Sequence, residues 1–207
     1  MITIVDYNAG NLTSVRRALD YLGIQCRVSG EAADIISAER IIFPGVGNAQ
    51  SAMENLNKTG IAAALKTAVA SGTPFLGICL GMQIMMSHSD EGDVKCLDFF
   101  DGNVVLLKPS DRRLKIPHMG WDSLKYKKKH KLFDGIDPKS EFYFVHSYYA
   151  NPTDFKDVIA LSEHGIDFAA VIGKGNMFAC QFHPEKSGEA GLKILKNFSV
   201  WNGEVAL

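Results

Sequence analysis

Residues 74–83 read PFLGICLGMQ, and the fold turns on whether Cys79, midway between Gly77 and Gly81, fills a core or stands on a sharp bend. The residues before it, TPFLGI (73–78), form a short apolar run behind a turn, which predicts a buried strand. Those after it, LGMQIMMSH (80–88), predict a helix. Glycines two before and two after a central residue suit a nucleophile elbow, where a strand turns abruptly into a helix and side chains beside the bend would collide. A thiol at a helix N-terminus meets the positive end of the peptide dipoles, which favours thiolate. Free cysteines mostly fill cores, and that is the reading for Cys26, Cys96 and Cys180. For Cys79 the paired glycines and the strand-to-helix switch favour a nucleophile.

Working outward, ITIVDY (2–7) reads as a first strand and 9–23 as a helix, capped by Asn11, with Leu12, Val15, Leu19 and Leu22 at helical spacing and Gly23 ending it. QCRVS (25–29) and RIIFPGVG (40–47) give two more strands, the second stopped by Pro44-Gly45-Val46-Gly47. A helical region from 49 to 70 breaks at Gly60. Such alternation argues for a mostly parallel sheet with helices on both faces and function at the loops beyond the strands' carboxyl ends, where both PGVG and Cys79 fall. The second half, with NVVLLK (103–108), EFYFVHSYYA (141–150), DVIALSEH (157–164), FAAVIGKG (168–175) and NMFACQFH (176–183), predicts additional antiparallel strands in that sheet. A closing helix over 188–201 places Leu192, Leu195 and Phe198 on one face. The expectation is one α/β domain over residues 1–207.

The chain of 207 residues is 46% hydrophobic and 22% charged with a net charge of −1, so nothing in its composition draws it to nucleic acid or anionic membranes. The apolar run 75–86 is broken by glycines and Gln83 and is shorter than the ~20 residues a membrane helix needs. No basic segment precedes the first apolar run, so a cytoplasmic location is expected. The four cysteines are too irregularly spaced for a disulfide framework or a zinc site, and Cys180 with His183 lacks a second pair of ligands. KYKKKHK (125–131) reads as a solvated loop, and IGKGN (172–176) lacks the spacing of a phosphate loop. His88, His118, His130 and His164 receive no chemistry.

A nucleophile needs a base. In QFHPEKS (181–187), Pro184 pushes His183 towards extended backbone, where residues two apart project to the same side, so His183 and Glu185 can meet. His183 would take the thiol proton while Glu185 fixes its tautomer. The N–H of Leu80, together with the exposed backbone of Gly45, Val46 and Gly47, offers donors for an oxyanion.

With the elbow at Cys79 and the pair His183-Pro184-Glu185, the sequence resembles the class I (triad) glutamine amidotransferases. DYNAGNLTSV, FPGVG, GICLGMQ, PHMGW, YFVHSYY and QFHPEKS, spread over residues 5–187, resemble more closely the glutaminase subunits of imidazole glycerol phosphate synthases. That resemblance implies a heterodimer in which glutamine is hydrolysed and ammonia passes to a cyclase subunit with a (β/α)8 barrel, for histidine biosynthesis. No cofactor or metal is implied. It also implies Gln83 and Glu91 at the substrate's amino-acid end, the backbone of Ser147 and Tyr148 at its carboxylate, and Asn11, Trp121, Tyr143 and Lys186 near the partner. His146 lies beside that backbone. The oxyanion strand at Gly45-Val46-Gly47 is expected to rearrange on activation. Asn8 stands where the family often has glycine, and CLDFFDGNV (96–104) replaces a glycine-rich run. The alternatives are a paralogous glutaminase serving a sugar-modifying amidotransferase, a self-sufficient γ-glutamyl hydrolase and an inactive scaffold.

Overall fold

The computed structural model describes residues 1–8, 12–111 and 113–204. The chain begins β1 (Ile2–Val5), α1 (Leu12–Tyr21), β2 (Cys26–Ser29), α2 (Ala32–Ile36), β3 (Arg40–Gly45), α3 (Ala49–Lys58), α4 (Ile61–Ala70) and β4 (Phe75–Cys79), the alternation expected from the sequence. A single turn, α5 (Leu80–Gln83), leads into β5 (Met86–Ser89), β6 (Val94–Lys95), β7 (Phe100–Leu106), β8 (His118–Ser123) and β9 (Lys125–Tyr126). Then follow β10 (Glu141–His146), β11 (Tyr148–Pro152), β12 (Val158–Glu163), β13 (Asp167–Lys174), β14 (Met177–Cys180) and α6 (Gly188–Val200).

The main sheet has eight strands in the order β2-β1-β3-β4-β14-β13-β12-β9. From β2 to β14 neighbours run parallel, and β13, β12 and β9 continue antiparallel. Because side chains alternate along a strand, the central strands feed two cores. Val5, Ile41, Phe43 and Phe75 pack with α3 and α4 on one face, and Ile4, Ile42, Leu76 and Ile78 pack with α1 and α6 on the other. Helix α6 buries Gly191, Ile194, Leu195 and Phe198, so Ile194 takes the place expected for the half-buried Leu192.

Four expectations need correction. Strand β3 does not stop before Pro44: Pro44 pairs with Ile78 and Gly45 with Cys79. Its pairing with β1 ends at Ile42, so the donor that proline lacks is not needed on that side. The helix expected over residues 80–88 is a single turn, after which the chain enters β5, with Met86 opposite Phe100. Ile84, Met85 and Met86 are wholly buried, and such an apolar run reads alike as helix or strand. The run 141–150 is two strands that part at Ser147, β10 joining β8 and β11 joining β7. The strands of the second half therefore do not all extend the main sheet; β10-β8 form a ribbon and β11-β7-β5-β6 a separate sheet.

Candidate active site

Cys79 holds φ 56° and ψ −110°, a strained conformation for a residue with a side chain. Its flanking glycines are required by contact. A Cβ on Gly81 would lie 1.9 Å from the carbonyl oxygen of Phe43, and one on Gly77 would lie 2.7 Å from Met85 Sδ. The bend is thus pressed against β3 on one side and its own returning chain on the other. The main sheet brings the remaining parts to it: Gly45 is opposite Cys79, and Cys180 is opposite Ile78, so the residues after β14 pass beside the thiol.

Those residues are Gln181, Phe182 and His183. His183 is extended (φ −100°, ψ 97°), and its Nδ1 lies 2.8 Å from Glu185 Oε1 with both side chains buried. Its Nε2 has no hydrogen-bond partner among the described residues. Burial of the ring, the largest single influence, disfavours its charge, but Cys79 and Glu185 outweigh it and raise His183 to about 10. Ser187 fixes this turn: its hydroxyl donates to the carbonyl of His183 at 2.6 Å and accepts the N–H of Tyr143 at 3.0 Å. Cys96 and Cys180 fill the core, where burial pushes Cys96 up to about 12 and holds Cys180 well above the usual thiol range, whereas Cys26 is only half-buried at the edge of the core.

A cavity of about 330 Å³ opens beside Cys79 and His183. Val46, Gly47, Leu80, Gln83, Glu91, Ser147 and Tyr148 line it, so the residues expected for substrate and most of those expected for an oxyanion surround one space; Gly45 does not line it, being buried in β3 opposite Cys79. Glu91 is oriented by the N–H of Ala49, 3.0 Å from its Oε2. Gln83 Nε2 donates to the Tyr148 carbonyl at 2.7 Å and to Gln181 Oε1 at 3.1 Å. A nucleophile, a buried imidazole and carboxylate, backbone at a strand end and an acidic residue in the lining suit acyl transfer from a small zwitterion.

Of the residues expected near a partner, Trp121 and Tyr143 are cross-strand neighbours in the ribbon, with ring centroids 5.9 Å apart. Lys186 Nζ stands 6.0 Å above the Tyr143 ring, and Trp121 is half exposed. Asn11 lies outside the described residues. Asn8 adopts φ 61°, a conformation asparagine tolerates where glycine is usual.

Two buried residues escaped the sequence reading. Gln181 donates to Cys79 Sγ at 3.6 Å. Its signal was present, because it stands two residues before His183 in the same extended run and so projects to the same side. Tyr7 is buried with a hydroxyl that has no partner among the described residues, and a Cβ on Gly45 would lie 2.5 Å from it. Nothing in its local sequence marks it.

The family model for class I glutamine amidotransferases matches residues 3–201. The chain belongs to that family. This amidotransferase is 46% identical over 211 residues to imidazole glycerol phosphate synthase subunit HisH of Nitratidesulfovibrio vulgaris (strain DSM 19637 / Miyazaki F), covering 100% of the chain and 99% of the relative. With the subunit of the same name from Caldanaerobacter subterraneus subsp. tengcongensis it shares 49% over 199 residues, 96% and 97% of the two chains. Among solved structures, a glutamine amidotransferase superposes with a TM-score of 0.74 at 16% identity, covering 97% of this chain and 100% of that one. The PurLQS structure from Thermotoga maritima gives 0.72 at 20% identity over 95% and 96%. At such identities the last two attest the amidotransferase fold alone. Among the described residues no helix is long and apolar enough to cross a membrane.

Proposed function

We propose that the chain is the glutaminase subunit of an imidazole glycerol phosphate synthase, with Cys79, His183 and Glu185 as its triad. The observation that carries this is the buried His183–Glu185 pair at 2.8 Å, whose ring has a free Nε2 beside the strained Cys79 at one end of a cavity walled by Gln83, Glu91, Ser147 and Tyr148. Cys79 Sγ attacks the side-chain amide carbon of glutamine while its proton is held on His183 Nε2. The tetrahedral oxyanion accepts hydrogen bonds from the N–H of Leu80 and from the Gly45-Val46-Gly47 backbone. The C–N bond then breaks, His183 returns the proton to the departing ammonia, and a glutamyl thioester remains. Water, deprotonated by the same ring, adds to the thioester and releases glutamate and the thiol. Glu91 pairs with the substrate's ammonium, Gln83 borders its amino-acid end, and the Ser147–Tyr148 backbone holds its carboxylate.

The partner is a cyclase subunit with a (β/α)8 barrel that seats on the ribbon face carrying Trp121, Tyr143 and Lys186, and the ammonia passes to it. In this reading the strand after Gly45 rearranges when the partner's ligand binds. Glutamate release is measured for the purified chain, alone and with the cyclase and its ligand. Large stimulation that Cys79→Ala abolishes is expected. Turnover that no cyclase stimulates would move the partner to a sugar-modifying amidotransferase, and turnover surviving Cys79→Ala would remove the triad.

A further inference from the structure

Beside the cavity, three side chains with no part in the triad form one hydrogen-bonded chain, and the first of them, His146, lines the cavity itself. His146 Nδ1 lies 2.9 Å from the Tyr148 carbonyl, His146 Nε2 lies 3.1 Å from His118 Nδ1, and His118 Nε2 lies 2.7 Å from Asp122 Oδ2. The direction of every proton follows from the end of the chain. A carbonyl only accepts, so His146 Nδ1 carries hydrogen. Burial holds the charge of His146 off down to about 3, so its Nε2 is a lone pair and His118 Nδ1 must donate to it. His118 Nε2 would then face the Asp122 carboxylate bare, and a contact of 2.7 Å requires a proton there. Burial is the larger influence and lowers His118 despite the opposing hydrogen bond to Asp122, yet the 2.7 Å contact still requires a proton between the two atoms.

The surroundings suit a charge-balanced link. His118 is sandwiched between Phe144 and His164, stacked at 4.9 Å and 4.2 Å. His164 Nε2 donates to the Lys115 carbonyl at 3.0 Å. His118, Asp122 and His164 also lie close enough together to suggest a metal site. The geometry opposes it: two ligands of one zinc ion at ~2.1 Å and tetrahedral angles stand about 3.4 Å apart, whereas His118 and Asp122 are in hydrogen-bond contact at 2.7 Å. Near-parallel rings cannot both aim in-plane lone pairs at one ion.

The far end of the chain is the more informative one. The Tyr148 carbonyl accepts from both Gln83 Nε2 and His146 Nδ1, so both of its lone pairs are engaged at the corner where β10 passes into β11. That corner carries the Ser147–Tyr148 backbone lining the cavity. We infer that Asp122, His118 and His146 form a positioning relay that fixes this backbone for the substrate's carboxylate, anchored at a half-exposed surface carboxylate. The inference rests on the glutaminase reading of the cavity. It assigns no step of the chemistry to the histidines; loss of the relay weakens glutamine binding and leaves the acyl transfer intact.

The test is steady-state glutaminase kinetics of the complex with its partner, comparing His146→Asn with His146→Gln. An asparagine amide nitrogen superposes on Nδ1 and a glutamine amide nitrogen on Nε2, so only the first can still donate to Tyr148. His146→Gln should raise KM about tenfold, the worth of roughly one hydrogen bond, with kcat within twofold, and His146→Asn should restore KM. Asp122→Asn, whose amide can donate to His118 Nε2, should keep KM near the wild-type value, whereas Asp122→Leu should raise it. KM unchanged in His146→Gln, or both His146 variants losing KM, kcat and melting temperature together, would overturn the relay. Cys79→Ala in the same assay separates that result from failure of the glutaminase reading. A proton NMR signal of the His118–Asp122 hydrogen bond, lost in Asp122→Asn, tests the trapped proton without turnover, and its absence from the wild type would refute it.

Discussion

Glu185→Gln exchanges a carboxylate for an amide of the same shape, in a place where Glu185 and His183 are almost fully buried. Burial alone would lower the ring's hold on its second proton; Cys79 and Glu185 instead raise it from 6.5 to about 10. At ~1.4 kcal/mol per factor of ten, that is about 5 kcal/mol of net preference for the charged ring, shared between the two partners. The new amide can also donate to Nδ1, which leaves hydrogen on Nε2, so the ring cannot take the proton of Cys79. In a hydrolase triad that tautomer error costs ~10⁴ in kcat, about 5.5 kcal/mol of barrier. Glutamate release by the partnered complex should fall ~10³–10⁴-fold, while KM, set by a cavity that Glu185 does not line, stays within about threefold. The raised ring also contributes stability that is complete below pH 6.5 and lost as the pH climbs through about 10, so the alkaline limb of the melting curve should flatten in the variant. Activity within tenfold of wild type, in a variant that melts cooperatively, would refute the assignment of Glu185 as the residue that orients His183.

The sequence disclosed the elbow because its constraint is local. Gly77, Cys79 and Gly81 must all suit one bend, where the Phe43 backbone leaves Gly81 no room for a side chain and Met85 crowds Gly77. The His183–Glu185 pairing was legible too, although the extended run expected there ends at His183: Pro184–Lys186 form a 3-10 turn, and it is this turn that brings Glu185 back to the ring. The second half was harder. Nothing in EFYFVHSYYA says that Ser147 is a corner, because the residues on both sides favour strand equally, and the exchange of sheets is decided by the distant partners β8 and β7. The histidine chain was hidden likewise: His118 and His146 are 28 residues apart and meet only through the antiparallel register of the ribbon. The short α5 failed on degeneracy, a wholly buried run being compatible with either period.

Gly81→Ala should be the harsher of the two elbow substitutions. Its Cβ would sit 1.9 Å from a backbone oxygen, so α5 and β3 must part by more than ~1 Å, a displacement that costs about 10²-fold in rate and ~1–3 kcal/mol in stability. At Gly77 the nearest atom is the flexible end of Met85, and the loss should be smaller; the reverse order in thermal melts and kinetics would contradict this account. The acid limb of stability tests a site remote from the chemistry. His130 is buried against Phe178 and Trp201, and its Nδ1 accepts the N–H of Leu132 at 3.2 Å. Burial lowers it from 6.5 to about 4, with Asp134 partly opposing. Its folded value lies below its unfolded one, so the unfolded chain takes up the proton first: the contribution is complete above pH 6.5 and lost as the pH falls through about 4. At ~1.4 kcal/mol per factor of ten, the loss reaches about 3 kcal/mol. His146, held down to about 3 by burial, adds a second loss over the same range and a little below it. His130→Asn keeps an acceptor for Leu132 but gives up ring packing, so it should be less stable than wild type at pH 7. Its stability should nonetheless fall less steeply between pH 6.5 and 4, because the His130 contribution to the loss is gone while those of the other buried histidines remain. Chemical denaturation at several pH values measures that slope separately from the offset, and parallel curves for the two proteins would show that His130 is not held neutral by its burial.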